Sequence, residues 1–143
     1  MRVLPLSEAI LKYLVPWTEY DWPLDWEAVF GRKGPLVVEV GFGNGGFLEE
    51  IAVRRPEVNF LGIERSWRTV HRLFKRLDRA GLSNVHVAQG SADFLLERLF
   101  VPGSVEKIYI NFSDPWPKER HHGRRLIQPA FMNMLAQRLT PGG

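Results

Sequence analysis

The segment Leu36-Val-Val-Glu-Val-Gly-Phe-Gly-Asn-Gly-Gly-Phe-Leu-Glu-Glu-Ile-Ala-Val-Arg-Arg55 decides the fold. LVVEV (36–40) is a β-branched apolar run of strand length. It ends in the glycines at 41, 43, 45 and 46, and FLEEIAVRR (47–55) then reads as a helix stopped by Pro56. A strand, a glycine turn and a helix in immediate succession are the opening of a βαβ unit. Downstream the pattern repeats. NFLGIE (59–64) is a second buried strand, and Trp67–Ala80 is a helix with Val70, Leu73, Phe74 and Leu77 on one face, ended by Gly81. NVHVAQ (84–89) predicts a third strand, Ser91–Leu99 a third helix, VEKIYINF (105–112) a fourth strand and Leu126–Leu139 a fourth helix, with Pro129 tolerable only in its first turn. Strands alternating with helices at this spacing predict an α/β fold, a parallel sheet with helices on both faces.

Residues 1–35 do not follow that rhythm. They hold Pro5, Pro16, Pro23 and Pro35 among the aromatics Trp17, Tyr20, Trp22, Trp26 and Phe30, and they predict one or two short helices, the first over Ser7–Leu14 with Ser7 as N-cap. They read as an N-terminal extension to a catalytic domain at 36–143. The 143 residues suffice for one domain; 45% hydrophobic against 24% charged is an ordinary globular balance. With no cysteine, disulfide and thiol chemistry are excluded. The first thirty residues lack an uninterrupted apolar stretch, so neither a signal peptide nor a membrane span is expected, and a cytoplasmic location is. The formal charge of +3 is unevenly placed: Lys118, Arg120, Arg124 and Arg125 fall together, which suggests a polyanion bound at one place, the alternative being a solvated loop. The arginines of Trp67–Ala80 (Arg68, Arg72, Arg76, Arg79) read as a solvated helix face, the alternative being an RNA surface.

The glycine loop has the context of a nucleotide site, since glycines admit a ligand to the backbone and the helix start offers free N–H groups. The string fits G-x-G-x-x-G through Gly41, Gly43 and Gly46, and E-x-G-x-G-x-G through Glu39, Gly41, Gly43 and Gly45. Glu39 tilts the choice. A carboxylate would repel a pyrophosphate, whereas the methionine end of S-adenosylmethionine carries an ammonium and a sulfonium. Glu64, ending the second strand, is placed to accept two ribose hydroxyls. An acid inside an apolar strand is costly without a partner, so Glu39 in particular calls for a ligand.

The segments VVEVGFGNGGFL, NFLGIE, NVHVAQGSA and YINFSDPWPKERHHGRRLIQPAFMNMLAQRLTPGG together resemble the bacterial tRNA (guanine-N(7)-)-methyltransferase family, over about three quarters of the chain. The resemblance implies a Rossmann-like S-adenosylmethionine-dependent methyltransferase fold, of which strands one to four of seven are present, in the order 3-2-1-4. It implies that the chain is C-terminally truncated and inactive as it stands. It further implies that Glu39, Glu64 and Asp114 contact the donor together with Gly41, Gly43, Gly45 and the residue at 91, and that Asp114 is also catalytic. Lys118 would meet the substrate, and Arg120, His121, His122, Arg124 and Arg125 would contact tRNA. Trp116, read from the loop itself, is placed either to stack on the extruded base or to wall the pocket. Two positions depart from the family pattern: Ser91, where an acid is usual, and Ser113, where proline is usual. A serine hydroxyl can still accept from an exocyclic amine, but without charge. No metal is expected, since His121-His122 lacks companions for a site; His71 and His86 read as structural or exposed.

Asp114-Pro-Trp-Pro-Lys follows the fourth strand, on the edge of the sheet where ligands bind in open α/β folds. Nitrogen 7 of guanine attacks with an in-plane lone pair, so no proton need be removed first. The expected role of Asp114 is to recognise guanine's N–H groups and stabilise the positive charge that ends on the purine. Alternatives are methylation of an exocyclic amine, through a partial likeness to D/N-P-P-Y/F/W, a non-catalytic RNA-binding relic, and a nicotinamide dehydrogenase, against which Glu39 argues.

Overall fold

A computed structural model describes residues 6–111 and 128–143. In chain order it contains α1 (Leu6–Tyr13), a 3-10 turn at Trp17–Glu19, α2 (Trp26–Phe30), β1 (Leu36–Val40), α3 (Gly46–Arg54), β2 (Asn59–Glu64), α4 (Trp67–Ala80), β3 (Val85–Gln89), α5 (Ala92–Arg98), β4 (Lys107–Ile110) and α6 (Pro129–Arg138). The four strands form one parallel sheet in the order β3-β2-β1-β4. This is the order that the family resemblance implies.

Parallel strands bury both faces, and every residue of β1 is buried. Alternation along the strands sorts their side chains into two cores. Val37, Phe60, Val85 and Val87 pack with Tyr13, Leu48, Ala52, Val70, Leu73, Phe74 and Leu77 beneath α1, α3 and α4. Val38, Val40, Leu61, Ile63 and Ala88 pack on the opposite side with Trp26, Leu95, Leu96, Leu99, Phe131 and Leu135, from α2, α5 and α6. β4 forms the other edge of the described sheet, and its Ile108, Tyr109 and Ile110 are only half-buried.

Helix α4 is delimited as its sequence indicates. Ser66 caps its start by accepting from the Thr69 N–H (3.3 Å), and Gly81 in the left-handed region closes its end. Helix α5 is different. Ser91 occupies its N-cap position yet makes no capping bond, and its hydroxyl donates to the Asp93 carboxylate instead. Several boundaries shift. Helix α1 begins at Leu6, so Ser7 lies inside the first turn and does not cap it. β4 is confined to Lys107–Ile110, because Val105 pairs instead with Leu139 in an isolated bridge. Pro129 stands at the start of α6, where its missing N–H costs nothing; residues 126 and 127 of the expected helix lie outside the described residues.

The first described residues wrap the β3 edge. Tyr13 stacks on Phe74 at 5.9 Å under one face. Leu14 bridges Val87, and the Val15 N–H donates to the Val87 carbonyl (2.7 Å). On the other face the Trp26 indole donates to the Leu99 carbonyl at 3.0 Å. The outer N–H and C=O groups of β3 are thereby covered at one point and its flank is shielded.

Gly62 sits beside Glu39 in the β1–β2 register. A Cβ there would lie 2.7 Å from Phe42 Cδ2 and 3.1 Å from Leu48 Cδ2. Both neighbours are fully buried, so neither has room to retreat. Gly62→Ala is therefore expected to destabilise the fold by about 1–3 kcal/mol. Urea denaturation would show this as a lowered midpoint at unchanged slope, and an unchanged midpoint would mean that Phe42 can move.

Candidate functional site

The carboxyl ends of β1, β2 and β3 lie along one edge of the sheet, and each brings a polar group there. At β1 it is Glu39, only 1% exposed. Its Cα neighbours across the sheet are Gly62 on β2 and Tyr109 on β4. Neither of its carboxylate oxygens has a hydrogen-bond partner of normal geometry among the described residues. Burial raises its pKa to about 7, and the Asn111 side chain nearby pulls it only partly back. A buried, unsatisfied acid at a strand end is the signature of a site whose partner is a ligand cation.

The glycine loop leaves β1 directly after this acid. The Gly41 N–H still donates to the Ile63 carbonyl (2.9 Å), but its φ of +71 turns the chain away, and a Cβ would lie 2.7 Å from the Asn111 carbonyl oxygen. Gly45, at φ +83, is the N-cap of α3, and a Cβ there would meet Leu73 at 2.5 Å. Only glycine fits at either position. Gly43 also has positive φ, at +57. A residue not singled out in the sequence reading, Arg76 of α4, anchors this loop. It donates to the Asn44 carbonyl (3.0 Å) and to Glu49 (2.8 Å), which ties the loop to the first turn of α3.

At the end of β2, Glu64 is half-buried, and one of its oxygens accepts from the Ser66 N–H at 2.9 Å. This bond orients the carboxylate at the rim and leaves the other oxygen without a hydrogen bond among the described residues. At the end of β3, the Gly90 N–H donates to the Glu64 carbonyl (2.9 Å), which brings Ser91 next to Glu64. Asp93 has its pKa lowered, first by the hydrogen bond from Ser91 and in lesser part by Arg65. An acid, Asp93, thus stands two residues after position 91, bonded to the serine there. The sequence signal for this was faint: an acid in the first turn of a helix is ordinary. Trp17 closes this end of the row, its indole donating to the Gln89 carbonyl at 2.9 Å.

Glu39, Gly41, Gly43, Gly45, Glu64 and Ser91 are therefore gathered along one edge. Asp114, Trp116, Lys118, Arg120, His121, His122, Arg124 and Arg125 lie outside the described residues; β4 and Asn111 lead toward them from the strand beside β1. Among the described residues no group of His, Cys, Asp or Glu is gathered that could hold a metal, and no helix is long and apolar enough to cross a membrane. His86 is half-buried between Phe30 and the Tyr13 carbonyl, a packing position.

The raised pKa of Glu39 makes stability depend on pH. The unfolded chain releases this proton near 4.5 and the folded chain near 7. Between those values the folded state holds more proton, so stability falls as pH rises and stays reduced above about 7, by a cost on the order of 3 kcal/mol. Glu39→Gln removes the titration. The variant should gain stability relative to the parent between pH 5 and pH 8 in ligand-free urea denaturation, and parallel pH profiles would show that Glu39 is not desolvated.

A protein-family model described as "Putative methyltransferase" matches residues 33–143. The tRNA (guanine-N(7)-)-methyltransferase of Thermus thermophilus is 45% identical over 130 residues, covering 91% of this chain and 42% of the relative. That of Bordetella pertussis is 42% identical over 138 residues, covering 96% of this chain and 54% of the relative. The chain thus spans about half the length of the curated relatives it matches. Among solved structures, the 16S rRNA (adenine(1408)-N(1))-methyltransferase of Catenulisporales acidiphilia superposes with a TM-score of 0.60 at 18% identity, over 83% of this chain and 58% of that one. That likeness is one of fold, a Rossmann-like α/β sheet. With its glycine loop, its buried strand-end acid and this match over most of its length, the chain belongs to the methyltransferase family.

Proposed function

We propose that this chain carries the donor-binding half of an enzyme that moves a methyl group from S-adenosylmethionine to nitrogen 7 of a guanine in tRNA. The observation that carries the reading is Glu39: a buried carboxylate whose oxygens lack a hydrogen-bond partner of normal geometry among the described residues, beside a glycine loop. A dinucleotide would place phosphates against this acid, whereas an amino-acid ammonium would satisfy it. The residues present fit the donor. Glu39 would hold the ammonium, Gly41, Gly43 and Gly45 would let the ligand approach the backbone, and Glu64 would accept from the ribose hydroxyls. Ser91 and Asp93 would lie toward the base. S-adenosylmethionine, when bound, supplies an electrophilic methyl group.

The choice of tRNA guanine rests on two supports. The relatives above bear that activity in their names, and the chain carries Asp114-Pro115-Trp116-Pro117-Lys118 followed by His121-His122 and Arg124-Arg125. Asp114 would accept from guanine's N–H groups and stabilise the charge left on the purine. Trp116 would stack on the base, and Lys118 with the arginines would hold the phosphates. By the resemblance, the target is the variable-loop guanosine at tRNA position 46, and the reaction takes place in the cytoplasm.

Equilibrium dialysis with labelled S-adenosylmethionine and with NAD, followed by nucleoside analysis of incubated tRNA, tests the reading on the intact protein. Donor binding without N7-methylguanosine would leave a binding module, and NAD binding would overturn the assignment. Glu64→Ala should weaken the donor by about tenfold or more, since two hydroxyls lose a charged acceptor; unchanged affinity in calorimetry would remove Glu64 from the site. Asp114→Asn should fold normally yet abolish most methyl transfer, because the amide keeps the shape and drops the charge. Near-native turnover in that variant would rule out charge stabilisation by Asp114.

A further inference from the structure

The outer face of α4 carries Arg68, Arg72, Lys75 and Arg79, spaced four, three and four residues apart. At helical periodicity these four cations form one stripe, opposite the buried Val70, Leu73, Phe74 and Leu77. All four are exposed, and among the described residues none takes part in a salt bridge or a side-chain hydrogen bond. A solvated helix face ordinarily interleaves acids with bases. Helix α3 of the same molecule does so, with Glu50 and Arg54 paired at 2.9 Å.

Helix α4 does the opposite, at a cost. Arg68–Arg72, Arg72–Lys75 and Lys75–Arg79 set like charges three or four residues apart, which is destabilising in an isolated helix. No acid occupies its first turn, so Arg68 faces the positive end of the helix dipole uncompensated. Its one acid, Asp78, lies half-buried off the stripe. The stripe begins one turn after Glu64 and runs about 16 Å along the helix, away from the candidate site. Trp67, 44% exposed, stands at its upper end.

We propose that this stripe binds the phosphate backbone of the RNA substrate, holding a part of the RNA remote from the base being modified. The proposal rests on the tRNA reading for the identity of that RNA. A row of unneutralised cations at regular spacing suits a polyanion that runs alongside the helix, and phosphate contacts of this kind position without reading sequence. An anionic lipid surface fits less well: the apolar face of α4 is committed to the core, and no apolar ridge accompanies the stripe that could enter a bilayer.

The test compares the intact protein with the variant R68Q/R72Q/K75Q/R79Q and the charge-keeping variant R68K/R72K/R79K. Each is titrated with an unmodified tRNA transcript, a generic RNA duplex and phosphatidylserine vesicles across a range of salt. Glutamine is a good helix former, and equal melting temperatures confirm the fold. The glutamine variant should bind tRNA about tenfold or more weakly. Its slope of log affinity against log salt should fall by roughly 0.7–0.9 per lost phosphate contact, while the lysine variant and donor affinity stay unchanged. An unchanged slope in the glutamine variant, or a loss confined to vesicles, overturns the proposal. Stripe-dependent RNA binding without guanine methylation would leave it standing and remove the tRNA-methylation reading. Methylation with a stripe-independent slope would do the reverse.

Discussion

β1 must pair in parallel with a neighbour on each side and be covered on both faces, and most of this molecule follows from that constraint. Because β2 and β4 both run alongside it in the same direction, the carboxyl ends of the strands open on one edge, and every crossover starts there. The chain has to leave the sheet at Gly41 and re-enter a helix by Gly46, over a surface already occupied by β2. Gly62 provides the space, letting the Phe42 ring lie where any side chain would stand. The glycine loop, the position of α3 and the exposure of the strand ends to a ligand are consequences of one packing requirement.

That edge is electrostatically distinct. Glu39 and Glu64 stand on strand ends and Asp93 in the first turn of the helix after β3, with Glu39 only 1% exposed. Fixed acids of this kind favour a ligand with positive charge and work against a pyrophosphate. Four exposed cations, Arg68, Arg72, Lys75 and Arg79, stand apart from this edge along the outer face of α4.

The N-terminal residues contribute to this arrangement. Tyr13, Val15, Leu24 and Trp26 are buried, and they belong to the cores on the two faces of the sheet. The segment passes around β3, and Trp17 reaches the last carbonyl of that strand beside the Ser91–Asp93 pair. Residues that read as an irregular lead-in thus shield an edge and border the candidate site.

Much was legible in the linear sequence. Hydrophobic runs of strand length, amphipathic helices and the Gly81 boundary of α4 are local signals, set by interactions within a few residues. They determined the α/β class, and the glycine string with Glu39 and Glu64 determined the kind of ligand. What needed the tertiary structure was every property that depends on a distant partner. Glu39 lacks a partner of normal geometry among the described residues because the strands on either side and the packed faces of the sheet leave it 1% exposed. Asn84 read as the first residue of a strand, yet it is buried and donates to the carbonyls of Ala52, Arg55 and Val58, where α3 ends and the chain turns into β2. Asp93 is set beside position 91 by its bond to Ser91. Arg76 looked like one more member of a basic helix face until Asn44 and Glu49 singled it out. Local pattern determines which elements form; solvent exclusion and long-range hydrogen bonding decide which of their polar groups are left for a ligand.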